Sequence, residues 1–423
     1  MAATAPNPSG PMRRYGMFEV LGIELEYMLV DSVSMEIRSV ADQILNLNGT
    51  VVDEVQREGT SWSNELVSHV LEVKTDPPVQ SAARAFRLLG RDLEEILAGL
   101  NEKGYTLLGT GMHPFMNPDD MQLWPGENGP IYETFHRIFD CRGHGWSNLQ
   151  SMHLNLPFKN DQEFGQMMAA IRLALPLLPA LSASSPICEM VWTGFQDYRL
   201  EVYRSNASRV PSVSGQVVPE PVFDPDEYHS QILEPIYRDL ESLDPEGLIQ
   251  EEWVNARGAI ARFDRSAIEI RILDTQESLE NDMAIALFVV ELLRNLVEER
   301  WSDFPSQSKA NQSTLVELFR RTCKNGRSVD LPEEYIRLLG LKGQHTAGSA
   351  LKTIAERLNI SSEENLDRSL EFLLSRGNLS RRMREALESQ RSAVLTDTPV
   401  KLGAEVHRIY RNMGSPLSAP FSP

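Results

Sequence analysis

Two stretches far apart in the chain alternate charged and large apolar residues. The first is Leu21-Gly22-Ile23-Glu24-Leu25-Glu26-Tyr27-Met28-Leu29-Val30-Asp31, the second Ser266-Ala267-Ile268-Glu269-Ile270-Arg271-Ile272-Leu273-Asp274. A period of two predicts a strand with one face in a core. The other face then carries Glu24 and Glu26, or Glu269 and Arg271. Charges side by side along a strand repel unless something neutralises them, and hard carboxylate oxygens suit a divalent cation such as magnesium. A solvated strand face is the plainer reading of either stretch alone.

Patterning also predicts the other elements. Residues 17–31 read as a strand, and Asn64 to Thr75 as another, stopped by Pro77-Pro78. From Ser81 to about Lys103 apolar residues recur at helical spacing, ending before Gly104. Tyr105 to Gly109 is a short strand leading into Thr110-Gly111-Met112-His113-Pro114, and residues 147–158 hold the alternating run Ser151-Met152-His153-Leu154-Asn155-Leu156. Residues 161–181 are helical, 205–230 loop-like, 253–274 strand again, and Asp282 to Trp301 an amphipathic helix. Strands and helices do not alternate regularly, and the strands keep polar residues on one face. That predicts an α+β fold with an antiparallel sheet open to a ligand on one side. The expected divisions are a disordered lead-in over 1–16, a main domain over 17–301, a helical appendage over 302–414 and a disordered tail over 415–423. There is no internal repeat and no Gly-rich phosphate loop.

Charge narrows the partners. The net charge is −19; residues 302–423 hold 18 Lys and Arg against 14 Asp and Glu, a balance of +4, which leaves −23 on the first 301. Such an excess argues against nucleic acid, which needs a basic surface. It does not exclude nucleotides, because a metal ion can invert the field around a triphosphate. No apolar run approaches the roughly 20 residues that span a bilayer, and the N-terminus has no apolar signal core, so no membrane partner is expected. Cys141, Cys188 and Cys323 show no metal-ligand spacing and are too few for a disulfide framework, so a reducing cytoplasm is the expected compartment.

The candidate metal ligands are Glu24, Glu26, Glu65, Glu72, His153 and Glu269. Glu65 and Glu72 lie seven apart, so strict alternation puts them on opposite faces unless a bulge or turn intervenes. A lone His between apolar neighbours is more often a hydrogen-bonded core residue than a ligand. The combined order is what points to a site: Glu-x-Glu, a Glu pair, His on a strand, then Glu-x-Arg.

On these residues the chain resembles the type 2 glutamate–cysteine ligase family, carboxylate–amine ligases with a glutamine-synthetase-like catalytic fold. The matching segments are Gly22–Asp31, Glu65–Thr75, Gly109–Pro114, Ser151–Leu156, Leu177–Pro186, Thr193–Arg199 and Ala267–Asp274. The resemblance implies a curved antiparallel sheet flanked by helices, making 17–301 the catalytic ligase domain. It implies ATP and two or three divalent ions, Mg2+ or Mn2+, and small-molecule carboxylate and amine substrates, glutamate and cysteine by default. Carried over by motif, Glu24, His153 and Glu269 would grip the ion facing the terminal phosphates. Glu26, Glu65 and Glu72 would hold the ion nearer the acceptor carboxylate. Arg271 would meet the transferring phosphoryl group. Tyr198 and Arg199 match the segment near the amino-acid substrate, and His113 could orient it or cap a strand end.

Two departures mark a divergent member. The family's His-x-His pair is here His153-Leu154-Asn155, so Asn155 keeps a polar contact but cannot titrate. The segment Ala256–Arg265 lacks the family's prolines; Arg257, Arg262 and Arg265 all qualify for phosphate or carboxylate contact, and Arg262 is preferred. These changes leave open another amine or peptide acceptor, a related guanidino phosphotransferase, and a catalytically silent nucleotide-binding regulator. They also leave open a homo-oligomer.

Overall fold

Among the described residues, eight antiparallel strands form the central sheet. In chain order they are β1 (Gly22–Asp31), β2 (Glu54–Arg57), β3 (Thr60–Asn64), β4 (Val70–Thr75), β5 (Tyr105–Leu108), β6 (Ser151–Pro157), β7 (Ala259–Arg262) and β8 (Ala267–Asp274). Across the sheet they run β7-β8-β6-β1-β4-β3-β2, with β5 pairing the far end of β1 beyond β6. The computed structural model describes residues 14–391 and 393–423. The expected lead-in over 1–16 lies outside the described residues except for its last three. The fold class is the α+β antiparallel arrangement the strand patterns predict.

Register decides which side chains meet. Glu24 is paired with Lys74 on one side and His153 on the other, Glu26 with Glu72, Glu72 with Ser63, and Asn155 with both Gly22 and Glu269. Cross-strand partners share a face, so the charged positions of five strands gather on one side of the sheet. The alternate residues of β1, Ile23, Leu25, Tyr27 and Leu29, are fully buried on the opposite side. Helices Ala82–Asn101, Asp161–Ala174 and Leu279–Val297 contribute to the apolar core there. The run Asp161–Ser182 is apolar and long enough to cross a membrane, but nearly all of it is buried inside the protein, as a core helix would be.

The stretch expected as one strand, Asn64 to Thr75, is instead a hairpin. β3 ends at Asn64, residues 65–69 turn, and β4 returns antiparallel with Asn64 opposite Leu71. The turn is held from outside: Ala41 N donates to the Ser68 carbonyl and Ser68 N to that of Gln122.

Residues 302–414 are mostly helical and share the core of the rest. Tyr335 Oη donates to the Leu173 carbonyl, Thr322 Oγ1 to that of Pro176, and Val400–Lys401 pairs with Val191–Trp192. Residues 415–423, expected as a disordered tail, instead fasten to the molecule. Leu279 N donates to the Pro416 carbonyl at 2.8 Å, Phe421 is buried, and Phe421 N donates to Glu277 Oε1 at 3.1 Å. That carboxylate also pairs with the fully buried Arg382, which reaches the Phe421 carbonyl and stacks over Phe372. A Ser- and Pro-rich composition hid this because one phenylalanine side chain and three backbone groups do the fastening. Truncation after Gly414 should cost about 3 kcal/mol, from one exposed aromatic pocket and two lost charge-assisted hydrogen bonds. An unchanged melting curve for the truncated chain would refute this role of the tail.

Candidate functional site

The polar face of the sheet is the floor of a cleft of about 530 Å³. Each strand supplies its outward residues: Glu24 and Glu26 from β1, Glu72 and Lys74 from β4, Ser151 and His153 from β6, Arg262 from β7, Glu269 and Arg271 from β8. Glu65 enters from the hairpin turn. The turn breaks the alternation that would otherwise send Glu65 and Glu72 to opposite faces. Facing this floor is an aromatic wall. Helix Gly129–Phe139 brings Tyr132 and Phe135, and Trp146, Tyr203 and Trp253 complete the wall. Phe135 lies 5.4 Å from Trp146 and 5.9 Å from Trp253 between ring centroids.

The floor divides into two electrostatic halves. In one, ligand atoms of Glu26, Glu65 and Glu72 all lie within 4.8 Å of one another. Burial first, then Glu26 and Glu72, hold the Glu65 carboxyl well above the ordinary range. Burial also raises Glu26, against the pull of His153. Ser151 donates its N–H to Glu26 at 2.7 Å, Ser63 Oγ donates to Glu72 at 2.6 Å, and Lys74 Nζ lies 3.0 Å from Glu72 and 3.6 Å from Glu54. One ammonium among three clustered carboxylates leaves a net negative site.

The other half is rich in cations. His153 Nδ1 is 3.1 Å from Glu24 Oε2 and 3.4 Å from Glu269 Oε1, while Nε2 is 3.6 Å from Glu26. Burial works against a charged imidazole, but Glu24, Glu26 and Glu269 lift it above its usual value. Glu24 likewise titrates low despite burial, chiefly through its hydrogen bond with His153. Glu269 has Arg271 Nε at 2.7 Å from one oxygen and Arg262 NH1 at 3.2 Å from the other. Burial opposes its charge, yet Arg271, His153 and Arg262 pull its carboxyl down to about 2.

The second group of mutually close ligand atoms is therefore Glu24, Glu72 and His153, again within 4.8 Å. It contains Glu72 where the motif order put Glu269, whose two oxygens face the guanidiniums of Arg262 and Arg271. The donor sets suit a hard divalent cation. Carboxylate oxygens fit Mg2+, and one imidazole is a donor that Mn2+ also accepts.

Other expected site residues lie elsewhere. His113 does not line this cleft. Its ring is fully buried, Nε2 contacts the Met35 carbonyl at 2.7 Å, and burial takes its pKa down to about 3. The Gly-Thr-Gly turn before it serves Asp274: a Cβ on Gly111 would lie 2.4 Å from that carboxyl carbon. Tyr198 starts helix Tyr198–Asn206 outside the cleft, with its ring 5.9 Å from Phe195. Arg199 does reach the cleft wall, but its Nε is bonded to Asp274 and the side chain is buried. Asn155 shares the floor's face of β6 but does not line the cleft; it donates Nδ2 to Glu24 Oε1 at 3.1 Å. Lys74 and the aromatic wall went unnoticed in the sequence. Lys74 alternates in register with Glu72 and could have been read. The wall comes from four separate segments with no shared period.

With the geometry in place, comparison with known proteins is specific. The family described as Glutamate-cysteine ligase family 2 matches residues 20–334. An uncharacterized protein of Archaeoglobus fulgidus is 35 % identical over 281 residues, 66 % of this chain and 75 % of that protein. The Roseiflexus sp. protein named "Putative glutamate--cysteine ligase 2" is 30 % identical over 206 residues, covering 47 % of this chain and 49 % of its own length. Among solved structures, a glutamate–cysteine ligase from Francisella tularensis in complex with AMP superposes with a TM-score of 0.58 at 13 % identity, over 96 % of this chain and 94 % of that one. That last likeness speaks for the fold.

Proposed function

The chain belongs to glutamate–cysteine ligase family 2, and from that premise we propose that it is an ATP-dependent carboxylate–amine ligase that uses Mg2+ or Mn2+. The observation that carries the reading is the meeting, in one cleft, of two three-residue ligand groups with Arg262, Arg265 and Arg271. A carboxylate is a poor electrophile. Transfer of the terminal phosphoryl group of ATP makes it an acyl phosphate; the amine then attacks the carbonyl carbon and inorganic phosphate leaves, giving an amide. The default substrates are glutamate, through its γ-carboxylate, and cysteine.

Each part of the chain has a job in that scheme. Glu26, Glu65 and Glu72 would hold one cation, and Glu24, Glu72 and His153 another. A bound divalent ion supplies Lewis acidity and neutralises charge between two anions. Arg271 faces the phosphoryl group, and Glu269 orients the guanidiniums of Arg262 and Arg271. The aromatic wall offers faces on which a base can stack. Catalysis of this kind is mostly positioning and charge placement. A second acceptor class is favoured by one observation: Ile131, Tyr132 and Phe135 line the cleft together with Glu65, which suits an amine with an apolar side chain.

Hydroxylamine tests the activation step apart from the acceptor. With ATP, Mg2+ and glutamate or a related carboxylate, it should yield a hydroxamate at a rate that depends on all three. If a broad carboxylate panel traps nothing while ATP and Mg2+ demonstrably bind, the ligase reading fails and the silent nucleotide-binding regulator replaces it. A panel of amines, read by phosphate release and product mass, then separates cysteine from bulkier acceptors.

A further inference from the structure

Three arginines stand at the Glu24–Glu269 end of the cleft, and they differ in what holds them. Arg262 gives Nε and NH2 to Asp264 at 3.3 and 3.1 Å and NH1 to Glu269 at 3.2 Å. Arg271 lies against Glu269 and points NH1 at the Asn255 carbonyl, 3.4 Å away. Arg265 sits in the tight turn between β7 and β8, and its side chain is 53 % exposed. It makes no hydrogen bond to another described residue through its guanidinium. Its nearest charges are Glu24 Oε1 at 3.7 Å and Asp264 Oδ2 at 3.8 Å. Arg257, the remaining candidate from the sequence, is bound in bidentate fashion to Glu220 and does not line the cleft.

The sequence favoured Arg262, but the contacts favour its neighbour. Moving Arg262 onto a phosphate would break its hydrogen bonds to Asp264 and leave one oxygen of the buried Glu269 carboxylate without its cation, which is costly. Arg265 can turn to an anion without breaking a hydrogen bond. We propose that Arg265 is a second guanidinium, beside Arg271, that meets the terminal phosphate of the bound nucleoside triphosphate, and that Arg262 is a positioning residue that holds Glu269. This rests on the ligase reading. In the ligand-free protein Arg265 is the loose counter-charge of Glu24. When Glu24 is committed to a divalent cation, that attraction is satisfied elsewhere and the five N–H donors of Arg265 are available to phosphate oxygens, in a planar fork suited to them. Arg265 forms and breaks no covalent bond; it places charge where the transferred group carries it.

The test is calorimetric titration of the full-length protein, in Mg2+, with the non-hydrolysable imidotriphosphate analogue of ATP and, separately, with ADP. Arg265→Gln should weaken the triphosphate about tenfold or more, the usual worth of a charge-assisted hydrogen bond. It should leave ADP within about twofold, and the nucleotide-free melting temperature unchanged. Arg265→Lys should recover part of the loss, since an ammonium keeps the charge but not the fork. Arg262→Gln should instead lower the nucleotide-free melting temperature. Equal triphosphate affinity in Arg265→Gln and wild type overturns the assignment and leaves the ligase reading standing; so does equal weakening of ADP and triphosphate. A wild-type protein that binds neither nucleotide overturns the ligase reading and this assignment with it.

Discussion

Glu269→Gln should lower the melting temperature of the metal-free protein, whereas Glu65→Gln should raise it, although both variants lose amide formation. The two carboxylates sit in one cleft but have opposite surroundings. Glu269 is nearly inaccessible and lies between Arg262 and Arg271. Removing its charge leaves two guanidiniums facing each other in a poorly solvated place. Breaking a buried pair in this way costs about 3–5 kcal/mol. The pH window follows from its depressed pKa, about 2 against an ordinary 4.5. A carboxylate of that kind contributes its full stability at neutral pH and loses it only as pH falls through that range. Glu65 has the reverse problem, since burial first, then Glu26 and Glu72, disfavour its charge. A neutral amide there should bring about 0.5–2 kcal/mol, the range usual for relieving unfavourable surface charge. Turnover in Glu269→Gln should drop by about 10²–10³-fold, the scale of losing one preorganised electrostatic element. Thermal melts at neutral pH without metal decide the matter. A Glu269→Gln variant as stable as wild type would show that Arg262 and Arg271 are held by something other than this carboxylate.

The contrast also shows what the sequence could and could not carry. Alternation at period two was enough to place Glu24 with Glu26 and Glu269 with Arg271 on a single face, because side-chain direction in a strand is a local property. Pairing between strands is not local. Nothing in the order of residues says that Glu269 is flanked by Arg262 from β7, or that Glu72 comes within 4.8 Å of Glu24 and His153. The hairpin at residues 65–69 was hidden for a similar reason. Its turn, Glu65-Leu66-Val67-Ser68-His69, has no Gly or Pro, and it is fixed by backbone bonds to Ala41 and Gln122 far along the chain. His113 and Tyr198 do not line the cleft, because nearness in a motif is not nearness in space. The Gly111 turn exists to let the backbone approach Asp274, and that buried carboxylate organises this whole neighbourhood.

Arg199 is where the difference between binding and holding has its largest consequence. It was expected near the amino-acid substrate, yet its Nε is bonded to Asp274 and its NH groups lie 3.4 and 3.5 Å from the Arg271 carbonyl. Asp274 ends the strand that carries Glu269 and Arg271, and it also accepts from Ser184 N and Ser185 Oγ at 2.7 Å each. Nearby Asp197 caps helix Tyr198–Asn206, and its carboxyl is held well above the ordinary range by burial and then by Asp274. Arg199 with Asp274 is the buried ion pair to be balanced inside the core. Arg199→Met should therefore cost about 3–5 kcal/mol by stranding a buried carboxylate. Adding Asp274→Asn to that variant should recover part of the loss, since removing both charges is far less harmful than removing one. The double-mutant cycle then gives a coupling of about 1–3 kcal/mol between the two positions. An arginine that merely gripped substrate would behave differently. Its loss would raise the substrate KM at an unchanged melting temperature, and Asp274→Asn would rescue nothing. That second pattern would return Arg199 to the substrate site. The first would make it the anchor that fixes the end of β8, and with it the orientation of Arg271 toward the phosphoryl group.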